Sequence, residues 1–91
     1  MVLEDDLDSV TAIGYAAAVV STFVFVPQVI RTWRLKSARD LSLATLVMMI
    51  AGLVLWVIYG ALTRQTPVIA ANGIVFVLAS ALLAMKIKFD G

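Results

Sequence analysis

Residues 41–62 read LSLATLVMMIAGLVLWVIYGAL, a run without a single Asp, Glu, Lys, Arg or His. Wound as a helix at about 1.5 Å per residue, it covers the ~30 Å hydrocarbon core of a bilayer. Two more runs of the same kind flank it. Upstream, Val10 to Ile30 carries no charge; downstream, neither does Pro67 to Met85. Spans at about 10–30, 41–62 and 67–86 leave little else in the chain. The expectation is an all-α integral membrane protein, one domain over 1–91, built as a three-transmembrane-helix bundle.

Composition agrees with that reading. Hydrophobic residues make up 63% of the 91 residues, above the half or so of a soluble domain, and the mean hydropathy is +1.04. So short a soluble chain has too little interior to bury that much apolar surface. Cysteine and histidine are both absent, which excludes disulfides, thiolate metal sites and an imidazole base or ligand. The acidic residues lie in tails and loops, and no Gly-rich phosphate loop appears. No catalytic constellation, metal site or cofactor is expected, and the chain does not read as an enzyme. The acidic opening Met-Val-Leu-Glu-Asp-Asp-Leu-Asp lacks the basic n-region of a signal peptide, so the first span reads as retained.

Charge sets the orientation. The 31–40 connection holds Arg31, Arg34, Lys36 and Arg39, and the C-terminal tail holds Lys86 and Lys88; the 63–66 connection has Arg64 alone. In a three-span chain both basic segments lie on one side, so the positive-inside rule puts the N-terminus outside and the C-terminus in the cytoplasm. Trp33 suits the inner interfacial belt. The basic loop reads as topology signal, not as a nucleic-acid surface. Helix starts are expected at Asp8 or Ser9, at Asp40 or Ser42, and at Thr66 with Pro67 in first position.

Four positions inside the spans carry polarity or a break. Pro27 removes one backbone bond and leaves the Phe23 carbonyl without that partner; it reads either as a hinge or as a proline tolerated in lipid. Gln28 beside it reads as an interhelical bond or an interfacial group. Asn72 stands in AANGIVF, with two amide donors and one acceptor, either as helix–helix glue or as a ligand contact. Trp56 lies over a turn inside its span, about 9 Å below the outer boundary, and Asn72 about 8 Å below it. An indole face stacks on the C–H face of a sugar ring and an amide binds hydroxyls, so the pair suits a neutral polyhydroxylated solute; a tryptophan there also suits an interface belt. Tyr59, one turn above Trp56, reads as an outer gate or as an interface tyrosine. Gly52 and Gly73 allow close helix approach. No intramembrane carboxylate, His or Lys is present to couple transport to protons, so downhill movement of a neutral solute is the simpler mechanism.

The stretch VFVPQVIRTWRLKSARDLSL at 24–43, followed by WVIYG at 56–60 and by Asn72 after Pro67, resembles a PQ-loop repeat. The chain as a whole is similar to the bacterial SemiSWEET sugar transporters. That resemblance implies one PQ-loop repeat assembling as a parallel homodimer in the bacterial cytoplasmic (inner) membrane. It implies facilitative uniport of mono- or disaccharides by alternating access, with a central pocket on the two-fold axis. It implies that Trp56 and Asn72 contact the sugar, that Pro27 and Gln28 form the hinge, and that Tyr59 and Arg64 gate the outer mouth. Phe25 is implied at the inner gate, where Phe23, Met48 and Met49 are also candidates. Relatives place an Asp after the Arg of the outer gate; the matching ALTRQT here has none. A dimer has its own motive, because three helices alone would expose the polar wall of a pathway to lipid. The partners implied are a second copy, a small neutral sugar and membrane lipid. Two alternatives stand beside this: a non-transporting membrane adaptor or assembly subunit, and a PQ-loop carrier of another small neutral solute.

Overall fold

The computed structural model describes residues 4–90, with side chains from residue 9. Three helices follow in order: α1 Glu4–Leu35, α2 Leu43–Leu62 and α3 Thr66–Asp90. Each is long and apolar enough to cross a membrane, and no strand occurs among the described residues.

The helices outrun the apolar spans. α1 continues to Leu35 through Arg31 and Arg34, because Arg is a good helix former and backbone bonds do not end where lipid does. The first connection is therefore 36–42, not 31–40. Asp8 and Ser9 lie inside α1 rather than capping it. Of the two candidates at the second helix, Ser42 is the cap: its Oγ accepts from the Thr45 N–H at 3.2 Å. At the third, the cap sits one residue earlier than expected. The Gln65 carbonyl accepts from the N–H groups of Val68 and Ile69, so Thr66 and Pro67 take the first two helical positions, where a missing N–H costs nothing. At its far end α3 continues past the apolar run through Lys86 and Lys88 to Asp90.

The α2–α3 turn is a Schellman motif. The Gln65 N–H bonds the Gly60 carbonyl at 2.8 Å and the Arg64 N–H bonds the Ala61 carbonyl at 3.3 Å. Such a motif needs a left-handed residue after the helix cap, usually Gly; here it is Arg64, at φ 55°.

α3 packs against both α1 and α2, whose backbones do not meet. The Cα envelope measures 52 × 22 × 14 Å. A triangular bundle with axes about 9 Å apart would be nearly square in section, about 13 Å a side, whereas three axes in a row span about 22 Å. The molecule is thus an open row, α1–α3–α2, bowed enough to make a shallow trough. Its interior is thin. Leu46 of α2 meets Leu82 and Met85 of α3 toward the end that bears the 36–42 connection, and Leu53 meets Val75 and Ala79 at mid-height. Phe25 of α1 and Met49 of α2 pack against both groups. The other end closes through small residues. A Cβ added at Gly14 would lie 2.6 Å from the Pro67 ring, and one at Gly60 would lie 3.0–3.2 Å from Val68 and Ile69. Gly52 and Gly73 do not serve that purpose within the chain: nothing lies within 4 Å of a Cβ built on either.

Large apolar side chains such as Phe23, Met48 and Leu55 stay exposed. In water so broad an apolar surface marks an interface or an aggregation hazard; among acyl chains it is solvated, and van der Waals packing holds the helices together. Two polar side chains inside the spans bond back to their own helices. Thr22 Oγ1 donates to the Ala18 carbonyl at 2.8 Å, and Asn72 Nδ2 to the Val68 carbonyl at 2.9 Å.

Candidate functional site

A cleft of about 220 Å³ opens between α1 and α2 over α3; Phe25 and Gln28 line it from α1, Thr45 and Met49 from α2, and Leu82 from α3. Helical periodicity extends that wall upward. Thr45, Met49, Gly52, Trp56 and Tyr59 follow at intervals of four, three, four and three, which keeps them on one stripe of α2. Trp56 and Tyr59 are about half exposed on it, and their rings meet edge to face with centroids 5.4 Å apart at 83°, a favoured aromatic geometry.

Asn72 stands on α3 three residues before Val75, and Trp56 stands on α2 three residues after Leu53. Because α2 and α3 run antiparallel, each lies one turn above the Leu53–Val75–Ala79 cluster. Asn72 is half-buried. Its bond to Val68 lies within α3, so in the protomer it does not glue two helices, and the amide oxygen and second N–H stay available for a solute or a partner.

The structure separates the four inner-gate candidates. Phe23 is 72% and Met48 74% exposed, and neither lines the cleft. Phe25 and Met49 face each other across it, packed on the same buried residues and lining the same cleft. Pro27 sits inside an unbroken α1, two residues beyond Phe25, and Gln28 lines the cleft. Arg64 lies in the α2–α3 turn and lines a separate cleft of about 650 Å³ beside Thr11 and Tyr15 of α1. Thr45 was not singled out in the sequence, and Gly52 only as a small residue that allows close helix approach. Counting helically back from Trp56 finds both.

The end bearing the 36–42 connection is held firmly. Ala38, fully buried, donates its N–H to the Asp90 carboxylate and accepts from Lys86 Nζ through its carbonyl at 3.0 Å. Lys36 Nζ sits 3.4 Å from the centre of the Trp33 ring, and Trp33 packs on Phe89. Three of the basic groups near this end, Lys36, Lys86 and Lys88, are thus engaged within the chain.

Comparison with known proteins gives these features a context. The PQ loop repeat family matches residues 10–69. Sugar transporter SemiSWEET of Bradyrhizobium diazoefficiens is 43% identical over 77 residues, covering 85% of this chain and 90% of that protein. Sugar transporter SemiSWEET of Leptospira biflexa is 39% identical over 82% of this chain and 88% of its own length. The crystal structure of a bacterial homologue of SWEET transporters superposes with a TM-score of 0.82 at 39% identity, covering 87% of this chain and 95% of that one. A three-helix membrane protein matched so nearly end to end, in sequence and in fold, belongs to the PQ-loop repeat family and, within it, to the SemiSWEETs.

Proposed function

We propose that the chain is a facilitative sugar transporter that moves mono- or disaccharides downhill by alternating access. It works as a parallel homodimer, N-terminus outside and C-terminus cytoplasmic, in the cytoplasmic membrane of a bacterium. The observation that carries this reading is the stripe of Trp56 and Tyr59 on the open side of the trough, with Asn72 at the level of Trp56. A polar and aromatic wall of this kind is costly against lipid, and a second copy facing it across a two-fold axis encloses it. Trp56 and Asn72 from each copy then surround one pocket, stacking on the sugar ring and bonding its hydroxyls. Phe25 closes the inner mouth with Met49 opposite, and Tyr59 closes the outer mouth with Arg64 nearby. Each protomer rocks about Pro27, with Gln28 beside the hinge. The spans hold no ionisable side chain between Val10 and Ile30, Leu41 and Leu62, or Pro67 and Met85 apart from tyrosines, which supports uniport over proton coupling.

The kinship to proteins named sugar transporter SemiSWEET supports a sugar over another neutral solute. The adaptor reading draws less support, because much of the basic charge that would dock a partner is already committed inside the chain.

Uptake of labelled glucose or sucrose into proteoliposomes tests the proposal. Wild type takes up one or both at a rate independent of a pH gradient. Trp56→Ala and Asn72→Ala each lose at least about tenfold, the equivalent of one well-made stacking or hydrogen-bond contact. Unchanged uptake in both variants would remove the site, and uptake driven by a pH gradient would remove the uniport mechanism.

A further inference from the structure

A second polar cleft, of about 250 Å³, adjoins the trough at the end bearing the 36–42 connection. Gln28 and Leu41 line both, so the two are neighbours. Arg31 and Thr32 of α1 form one wall of this second cleft, and Ser37 and Asp40 of the connection form the other. Thr32 is the one buried polar side chain among the described residues, at 6% exposure. Arg31 Nη1 meets Asp40 Oδ2 across the mouth at 3.3 Å, while both side chains stay largely exposed, at 70% and 65%.

We propose that this cleft is a cytoplasmic vestibule that binds a single sugar ring on its way to or from the central pocket; it rests on the transport reading above. The chemistry fits neighbouring hydroxyls. One hydroxyl donates to the Asp40 carboxylate while its neighbour accepts from the Arg31 guanidinium, and the Gln28 amide can do either. The volume lies just below the roughly 300–1,000 Å³ of sites for drug-sized ligands, so it takes one ring and not a disaccharide. No aromatic side chain lines the cleft, and the nearby Trp33 ring is covered by Lys36. A site with hydrogen bonds but no stacking platform holds its solute weakly, as a transit station should.

The vestibule stands on a firmly held end. Asp40 lies two residues after Ala38, which Asp90 and Lys86 clamp to the end of α3, and Arg31 lies two residues before Trp33, which packs on Phe89.

The test compares the two faces of the membrane. Labelled glucose uptake is measured in spheroplasts, which present the outer face, and in inverted vesicles, which present the cytoplasmic face. Asp40→Asn and Arg31→Gln each raise the KM from the cytoplasmic face about tenfold, as expected for loss of a charged hydrogen bond, and leave the KM from the outer face unchanged. Arg39→Gln, in the same connection but outside the cleft, changes neither. An exposed ion pair adds little to stability, so a one-sided KM shift reports binding and not unfolding. Equal shifts on both faces, or none, overturn the vestibule while leaving the transport reading intact. Should wild type carry no glucose, calorimetry with glucose on the purified protein decides the vestibule, and the transport reading fails only where sucrose uptake is absent as well. Heat lost in Asp40→Asn but kept in Trp56→Ala sustains it as a binding site, and no heat in wild type overturns it.

Discussion

Arg64 shows how much one residue can be asked to do. It holds a left-handed backbone, φ 55°, in the turn that joins α2 to α3, a conformation costing a side-chain-bearing residue about 1–2 kcal/mol. Glycine would remove that strain, at some cost in unfolded-chain entropy. Arg64→Gly is therefore predicted to raise the thermal stability of the solubilised protein by up to about 1 kcal/mol, while lowering sugar uptake by removing the guanidinium proposed for the outer gate. A variant that is both less stable and fully active would contradict both assignments. Gly60 is the opposite case. A methyl there meets Ile69 and Val68 at 3.0–3.2 Å, one of those contacts being the Ile69 backbone nitrogen, so Gly60→Ala is predicted to cost about 1–3 kcal/mol, read from the same melting curves. Neither role was visible beforehand. The TRQT connection holds no glycine to announce a left-handed position, and a glycine in a span looks the same whether it touches a neighbour or, like Gly52, faces open space.

At the scale of the elements, the apolar runs sufficed to find three helices, because charge-free length is the strongest signal a membrane chain carries. They did not locate the helix ends. Arg31 and Arg34 extend α1 past the apolar run, and the Gln65 carbonyl, not a Ser or Thr side chain, accepts the first bonds of α3. The clamp of Ala38 by Asp90 and Lys86 joins residues about fifty apart and leaves no local trace. The candidate site was more legible. Trp56, Tyr59 and Asn72 stand out as rare residues in apolar runs, and helical spacing alone puts Trp56 and Tyr59 on one stripe. The choice of Phe25 and Met49 over Phe23 and Met48 needed the packing of α3 between its neighbours. The hinge is an element-scale prediction. Pro27→Ala restores the bond to the Phe23 carbonyl and stabilises α1 by up to about 3 kcal/mol. Sugar binding by calorimetry is expected to persist while uptake falls, since a stiffened α1 resists rocking. Uptake equal to wild type would show that Pro27 is simply tolerated.

For the whole molecule, the decisive feature is incompleteness. An open row of three helices leaves its aromatic and polar stripe on an uncovered side. In the proposed homodimer a second copy supplies the missing wall. The chain has no cysteine, so a single thiol can be placed without background. The most direct measurement uses Asn72→Cys in native membranes, treated with a short bis-maleimide with and without saturating sugar. The account predicts a dimer-sized product, because two copies of position 72 face one shared pocket, and slower crosslinking when sugar fills it. A monomer alone, or a dimer that forms equally fast with sugar present, would contradict the claim that two copies enclose the solute between them.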